Sequence, residues 1–282
     1  MSVALDAADV YCRELTKRHY ENFIVASGLV SADMRLDLSR IYAFCRTTDD
    51  LGDESGSPDA ALERLDRWRA DVHAMFAGKL PVHPVLFALR ETVARTTMSP
   101  EPFFDLIEAN RLDQRVSAYE TWPQLEAYCR LSAAPVGRMV LAVFSVQGVD
   151  AQMLSDDVCI GLQLANHAQD VKRDGLMGRC YILGEDVASS GMTGAVSKLV
   201  ERARRLLDSG RALEAMVPLA LRMQLALYRL GGLAICDAIE RIGFRTDLQR
   251  PVVSGRAKVS ILARAIGGSL RPGRSGRYVG ST

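Results

Sequence analysis

Apolar positions along this chain recur at steps of three and four, and alternating apolar–polar runs are scarce. The pattern predicts helices over roughly 7–27, 32–53, 59–77, 83–97, 101–117, 123–147, 151–173, 192–209, 213–243 and 256–266. Pro58, Pro81, Pro84, Pro100, Pro123 and Pro251 sit at or near the starts and breaks of these segments. Proline lacks an N–H and is tolerated in a helix only in its first turn. Ser31, Ser57, Ser99 and Thr121 precede predicted helices as candidate N-caps. No repeat or shift in composition divides the chain. The expectation is therefore an all-α fold, one domain over residues 1–268, its helices packed around a central core. The segment 269–282, SLRPGRSGRYVGST, reads as a flexible basic tail.

Composition narrows the function classes. Hydrophobic residues make up 48% of the 282, enough for a sizeable core. Lys and Arg (35) nearly balance Asp and Glu (34), so no global field favours nucleic acid, and no nucleic-acid partner is expected. Any anion site must come from local clusters. The six cysteines form no C-x-x-C pair and read as free buried thiols in a reducing compartment. With four histidines and none at ligand spacing from a cysteine, a zinc site is not expected. The start of the chain carries acids and no apolar run of signal-peptide length. The greasiest stretch, 215–235, contains Arg222, Gln224 and Arg229 and makes a poor membrane span. The chain reads as cytoplasmic, with peripheral contact at the inner membrane face left open. No pattern fixes an oligomeric state.

Two acidic stripes carry the chemistry. Near the end of the predicted helix 32–53, Asp49, Asp50, Asp53 and Glu54 fall within six positions. Asp49 and Asp53 share a face, so they repel each other, and the helix macrodipole also disfavours anions at this end. A cation would relieve both costs. Clustered carboxylates suit Mg²⁺, which takes one or two of them together with substrate phosphates. The second stripe is Gln163, Asn166, Asp170 and Asp174, at steps of three, four and four on a segment otherwise apolar from Val158 to Ala168. So narrow a polar stripe suits a groove lined by the core. Facing each other across a bundle, the stripes could hold metal and clamp a diphosphate. Arg46 stands one turn before the first stripe, and Lys172, Arg173 and Arg179 surround the second.

The chain resembles the squalene/phytoene synthase family of head-to-head prenyl synthases over nearly its whole length. The segment from Arg46 to Glu54 resembles the first aspartate-rich motif of that family. Asn166 to Asp174, followed by Gly178-Arg179-Cys180-Tyr181, resembles the second. Tyr128-Cys129-Arg130-Leu131-Ser132-Ala133-Ala134-Pro135-Val136-Gly137 is similar to the helix between them. His19-Tyr20-Glu21-Asn22-Phe23, with Ala26-Ser27, and Ala134-Pro135 resemble the hydroxysqualene synthase subgroup of the hopanoid pathway. Three departures stand out: Gly52 where Ala is usual, Ile24 where a proline often follows Asn-Phe, and Leu183-Gly184 where Tyr-Ile-Pro is expected. The last is expected to loosen the loop that closes over the second motif.

The resemblance implies an isoprenoid-synthase-type bundle around a central cavity, and an enzyme that ionises an isoprenoid diphosphate. Asp49, Asp53, Asp170 and Asp174 would bind Mg²⁺; Arg46, Lys172, Arg173 and Arg179 would help hold the diphosphate. Gln163 and Asn166 would line the site, Tyr42 and Tyr128 would face the developing cation, and His19 would stand near the substrate. For the subgroup, the substrate would be presqualene diphosphate, water would capture the cation to give hydroxysqualene, and NADPH is not expected. A squalene, dehydrosqualene or phytoene synthase would use the same aspartates on two prenyl diphosphates. A non-catalytic assembly factor on this fold would have degraded motifs, whereas both aspartate pairs are intact. The spacing Asp49-Asp50-Leu51-Gly52-Asp53 also fits the D-D-x-x-D of chain elongators and cyclases, but the second stripe and the Tyr128–Gly137 segment argue against them.

Overall fold

The computed structural model describes residues 3–18 and 30–269. Helices dominate: α1 (Val3–Arg18), α2 (Ala32–Asp53), α3 (Pro58–Phe76), α4 (Pro84–Thr96), α5 (Glu101–Leu112) and α6 (Trp122–Ser132) form the first half. The second half is α7 (Ala134–Val143), α8 (Val149–Gln169), α9 (Val171–Leu176), α10 (Gly184–Ser209), α11 (Leu219–Arg241) and α12 (Gly255–Ser269), with a short 3₁₀ turn at Gly210–Ala215. Among the described residues no strand forms; the one extended pairing is an isolated bridge between Ala118 and Cys180.

Three of the four expected starts follow the expected chemistry; at α5 the cap position falls on Pro100 and not on Ser99. Ser31 accepts a hydrogen bond from the Met34 N–H at 3.2 Å, and Ser57 one from Ala60 at 3.3 Å. The Gln124 side chain accepts from the Thr121 N–H at 3.2 Å. The predicted helix 123–147 is two: it breaks at Ala133 (φ −114°, ψ −48°), since Pro135 has no N–H to continue the ladder and instead opens α7. Likewise 151–173 breaks at Asp170 (φ −101°, ψ 15°), and α9 starts afresh. The helix expected at 192 begins at Gly184, with a kink at Gly191, whose φ of 69° suits glycine. The helix expected from 213 starts at Leu219, just after Pro218.

Two cores hold the elements. In the first, Ile41 and Phe44 of α2 meet Leu65 and Trp68 of α3, Leu86 and Leu89 of α4, and Phe103 of α5. Phe44 stacks on Trp68 at 5.8 Å and meets Phe103 edge-on at 5.0 Å. In the second, Leu164 and Ala168 of α8 pack with Leu125 of α6, Leu199 and Val200 of α10, and Ile239 of α11. The apolar α11, long enough to cross a bilayer by composition, buries Leu221, Ala226, Cys236 and Ile239 among its neighbours. All six cysteines are free, and burial pushes the thiols of Cys12, Cys129 and Cys159 up to about 12, where they are not nucleophiles.

A buried polar network fixes α2, the helix that carries the first stripe. Arg40 donates to both carboxylate oxygens of Asp9 on α1, at 2.8 and 2.9 Å. It also reaches Thr92 of α4 at 3.2 Å, and Thr92 donates to Asp37 at 2.7 Å. Removing one partner of such a buried pair costs about 3–5 kcal/mol, so α2 is held firmly between α1 and α4.

Candidate active site

Asp49 and Asp53 stand on the last turn and a half of α2, which has no basic residue in its last turn. Asp50 turns to the flank, where Arg46 pairs with it and with Glu54. Asp49 is reached by solvent, yet protein rises around it. That desolvation is the largest influence on its carboxyl, which moves up to about 6; Asp53 and Asp50 push the same way, while the Asn110 hydrogen bond and Arg46 oppose them. Asn110 of α5 donates to Asp49 Oδ1 at 3.2 Å. A Cβ on Gly52 would lie 2.9 Å from Asn110 Oδ1, so the glycine makes the room this amide needs. That gives the first departure from the family pattern a physical reason.

The second stripe is split by the break in α8. Asp170 caps both helices, and Asp174 lies one turn on in α9, its N–H donating to Asp170 O at 2.8 Å. Burial lifts the Asp174 carboxyl to about 6, and Asp170 adds to the rise against Arg173 and Arg179. Gln163 is half-buried and Asn166 exposed, and neither makes a side-chain hydrogen bond among the described residues.

Arg179 brings the two stripes together. Its guanidinium donates to Asp53 Oδ1 at 2.9 Å, across 126 positions of sequence, and its charge acts on Asp174 and on Asp113. Asp113, just past α5, is the hub of a buried tyrosine cluster that sequence reasoning missed. Tyr128 donates to it at 2.9 Å and Tyr181 at 3.3 Å. Burial lifts the Asp113 carboxyl to about 6, against the pull of Arg179 and the two phenols. Tyr128, expected to face a cation, is thus a buried partner of Asp113, while Tyr42 lies half-buried beside Arg46 and Asp49. His167 stacks on Tyr181 at 3.7 Å, and burial pulls its pKa down to about 3, so it is neutral.

The basic residues divide. Lys172 donates to the Leu248 carbonyl at 3.0 Å and pairs with none of the four aspartates. Arg173 is exposed beside Asp174. The cation on Asp170 is instead Arg250, which also donates to Gln169 at 3.3 Å. Nothing in its local sequence marks Arg250; only the return of the chain after α11 places it there. Two recesses flank the acids, one of about 190 Å³ beside Asp174 and Arg179, the other of about 240 Å³ beside Asp50 and Glu54. Neither encloses all four aspartates. His19, with Tyr20, Asn22, Ile24 and Ser27, lies outside the described residues.

The loop after the second stripe is not loosened as expected. Cys180 donates to Ser117 O at 2.7 Å, Gly184 to Tyr119 O at 3.1 Å and Glu185 to Glu120 O at 3.0 Å. Leu183 is 1% exposed. A Cβ on Gly184 would run into the Glu120 carboxylate, so Leu183-Gly184 closes the loop by packing instead of by a proline.

A model of the squalene/phytoene synthase family matches residues 16–260, which include both stripes and the tyrosine cluster. The chain belongs to the squalene/phytoene synthase family. Members of this family process prenyl diphosphates, and the chain is an isoprenoid diphosphate-ionising synthase. The hydroxysqualene synthase of Rhodopseudomonas palustris is 33% identical over 227 residues, 75% of this chain and 73% of that one. The phytoene synthase of Arthrospira platensis is 32% identical over 212 residues, covering 70% and 68%. Among solved structures, squalene synthase HpnC from Alicyclobacillus acidocaldarius is 42% identical, with a TM-score of 0.80 over 86% of this chain and 97% of that one. A dehydrosqualene synthase shares the fold at 23% identity, with a TM-score of 0.83.

The family uses a divalent metal to ionise a diphosphate, and the residues present fit one. Asp49 and Asp174 sit near pKa 6 because burial and neighbouring acids disfavour their charge, which a cation would reverse. Among the described residues, no three His, Cys, Asp or Glu side chains converge into one metal shell. Mg²⁺ typically takes one or two carboxylates and completes its octahedron with water and phosphate oxygens.

Proposed function

We propose that this enzyme ionises presqualene diphosphate and that water captures the resulting cation to give hydroxysqualene, with no nicotinamide taking part. The observation that supports the reading is the hydroxysqualene synthase among the relatives, 33% identical; the 42% identity to squalene synthase HpnC supports the squalene branch of the family. Asp49, Asp53, Asp170 and Asp174 would hold Mg²⁺, which when bound neutralises the leaving diphosphate. Arg179, already between the stripes, and Arg46 would grip the phosphate oxygens, with Arg173 and Arg250 at the rim. Asn166, exposed on the stripe, would orient the substrate or the capturing water, as would His19 and Tyr20. Asp113 would keep the Tyr128 ring in place through the phenol it binds. Capture by water requires one held molecule beside an otherwise dry cation, which otherwise loses a proton or rearranges.

The purified protein, given presqualene diphosphate and Mg²⁺ in ¹⁸O-labelled water, should release an alcohol carrying the label whether or not NADPH is present. Squalene formed only with NADPH, and no labelled alcohol without it, would make it a squalene synthase. The phytoene synthases among the relatives favour a second reading, the joining of two longer prenyl diphosphates. A forty-carbon product from geranylgeranyl diphosphate would establish that reading.

A further inference from the structure

The C-terminal helix has two apolar faces, and the fold uses one. Ile261 and Ala265 of α12 pack against Ala226, Leu227, Leu230 and Leu233 of α11. On the other side Val259, Leu262 and Ile266, at steps of three and four, form a stripe 69%, 49% and 41% exposed. Val252 and Leu248, exposed at 71% and 56%, extend the apolar surface into the preceding segment. Exposed Arg256 and Lys258 border the stripe on its two sides, and α12 contains no acid. In the sequence, residues 248–282 hold seven basic residues and no Asp or Glu, although the whole chain is nearly neutral.

We propose that α12 docks this enzyme onto an anionic lipid surface, its apolar stripe entering the headgroup–acyl boundary and its basic border meeting lipid phosphates. An in-plane helix with an apolar stripe edged by Lys and Arg matches that boundary in both polarity and charge. A second copy of the chain fits less well. A twofold contact through this face would bring the Arg256 and Lys258 border of one copy against the same basic border of the other, with no acid on α12 to answer it. The docking face also lies next to the acids. Lys172 donates to Leu248 O, Gln169 donates to Pro251 O at 2.9 Å, and Arg250 pairs with Asp170, so the segment leading into α12 is sewn to the second stripe. A prenyl diphosphate is an amphiphile whose chain rests in the bilayer with its diphosphate at headgroup level. Docking through α12 brings the second stripe close to that level. The proposal holds whichever product the enzyme makes.

The test is co-sedimentation of the full-length protein with phosphatidylcholine vesicles, with and without phosphatidylglycerol. Binding should need the anionic lipid and weaken as salt screens it. The variant V259S/L262S/I266S should lose most of the binding. R256Q/K258Q should weaken it by roughly thirtyfold. Both variants should keep wild-type melting temperatures and wild-type turnover of detergent-dispersed substrate. Wild-type protein that stays in the supernatant with anionic vesicles would overturn the proposal. So would binding that survives both variants, or a dimer in sedimentation velocity that the serine variant abolishes, which would assign the stripe to a second copy.

Discussion

Replacing Asp174 with Asn should stabilise the metal-free protein while destroying its activity. The Asp174 side chain is 14% exposed, and its carboxyl is held at about 6 against a usual value near 3.8. A carboxyl whose folded pKa is raised binds its proton more tightly in the folded state than in the unfolded one. Stability is therefore greatest at low pH and falls as pH rises from about 4 to about 6, where the folded protein must give up that proton. At about 1.4 kcal/mol per pH unit, that rise sets a ceiling of about 3 kcal/mol at pH 7.5. Partial access to water brings the expected gain for Asp174→Asn to about 1–2 kcal/mol. For a chain of this size that is a rise in melting temperature of roughly 2–6 °C. Asp174 accepts no side-chain hydrogen bond among the described residues, so the substitution has little else to lose. The assay is thermal unfolding of both proteins from pH 4 to 8, with and without Mg²⁺ and inorganic pyrophosphate. The gap between variant and wild type should be widest above pH 6 and close toward pH 4. Mg²⁺ with pyrophosphate should raise the wild-type melting temperature, and the variant's much less. A variant no more stable than wild type at pH 7.5, or a gap that ignores pH, would refute the reasoning.

Asp49→Ala and Asp170→Ala should each lower turnover by roughly a hundredfold or more with the fold intact by circular dichroism, because each removes one carboxylate from a facing pair. Gly52→Ala should push Asn110 off Asp49, costing about 1 kcal/mol by crowding; titration of activity against Mg²⁺ should show a raised metal requirement that Gly52→Ala/Asn110→Ala partly relieves.

The long helices were legible because they present an apolar face with a period near 3.6, and the two stripes were legible because i,i+4 acids on such a face have no structural use; α9, six residues with none buried, carries no such signal. What stayed hidden was tertiary. Asn110 and Asp113 read as ordinary polar residues near the end of a helix; only the approach of α5 to α2 and of the 177–183 loop to both makes one a partner of Asp49 and the other the hub for Tyr128, Tyr181 and Arg179. Arg250 is separated from Asp170 by 80 positions, and its neighbours form no pattern. The apolar period runs on unbroken through Pro135, so the break at Ala133 shows only in the proline's missing N–H. Leu183-Gly184 read as a weakness because the missing proline was visible in the sequence, whereas the backbone bonds to residues 117–120 were not.

The break at Asp170 has a consequence for motion. α8 is anchored by eleven buried residues, whereas α9, only six residues long, has none. Asp174 keeps its place through Asp170 O on one side and the Arg179 N–H at 2.9 Å on the other. Leu176 and Met177 beyond it are 83% and 54% exposed. Local opening of this turn forfeits a few backbone bonds and almost no apolar contact, so it lies at the low end of the molecule's range of opening free energies. The first stripe, on a helix bolted through Arg40 to two others, lies near the high end. The site therefore has one fixed jaw and one compliant jaw, and adjustment to an incoming ligand falls to residues 171–178.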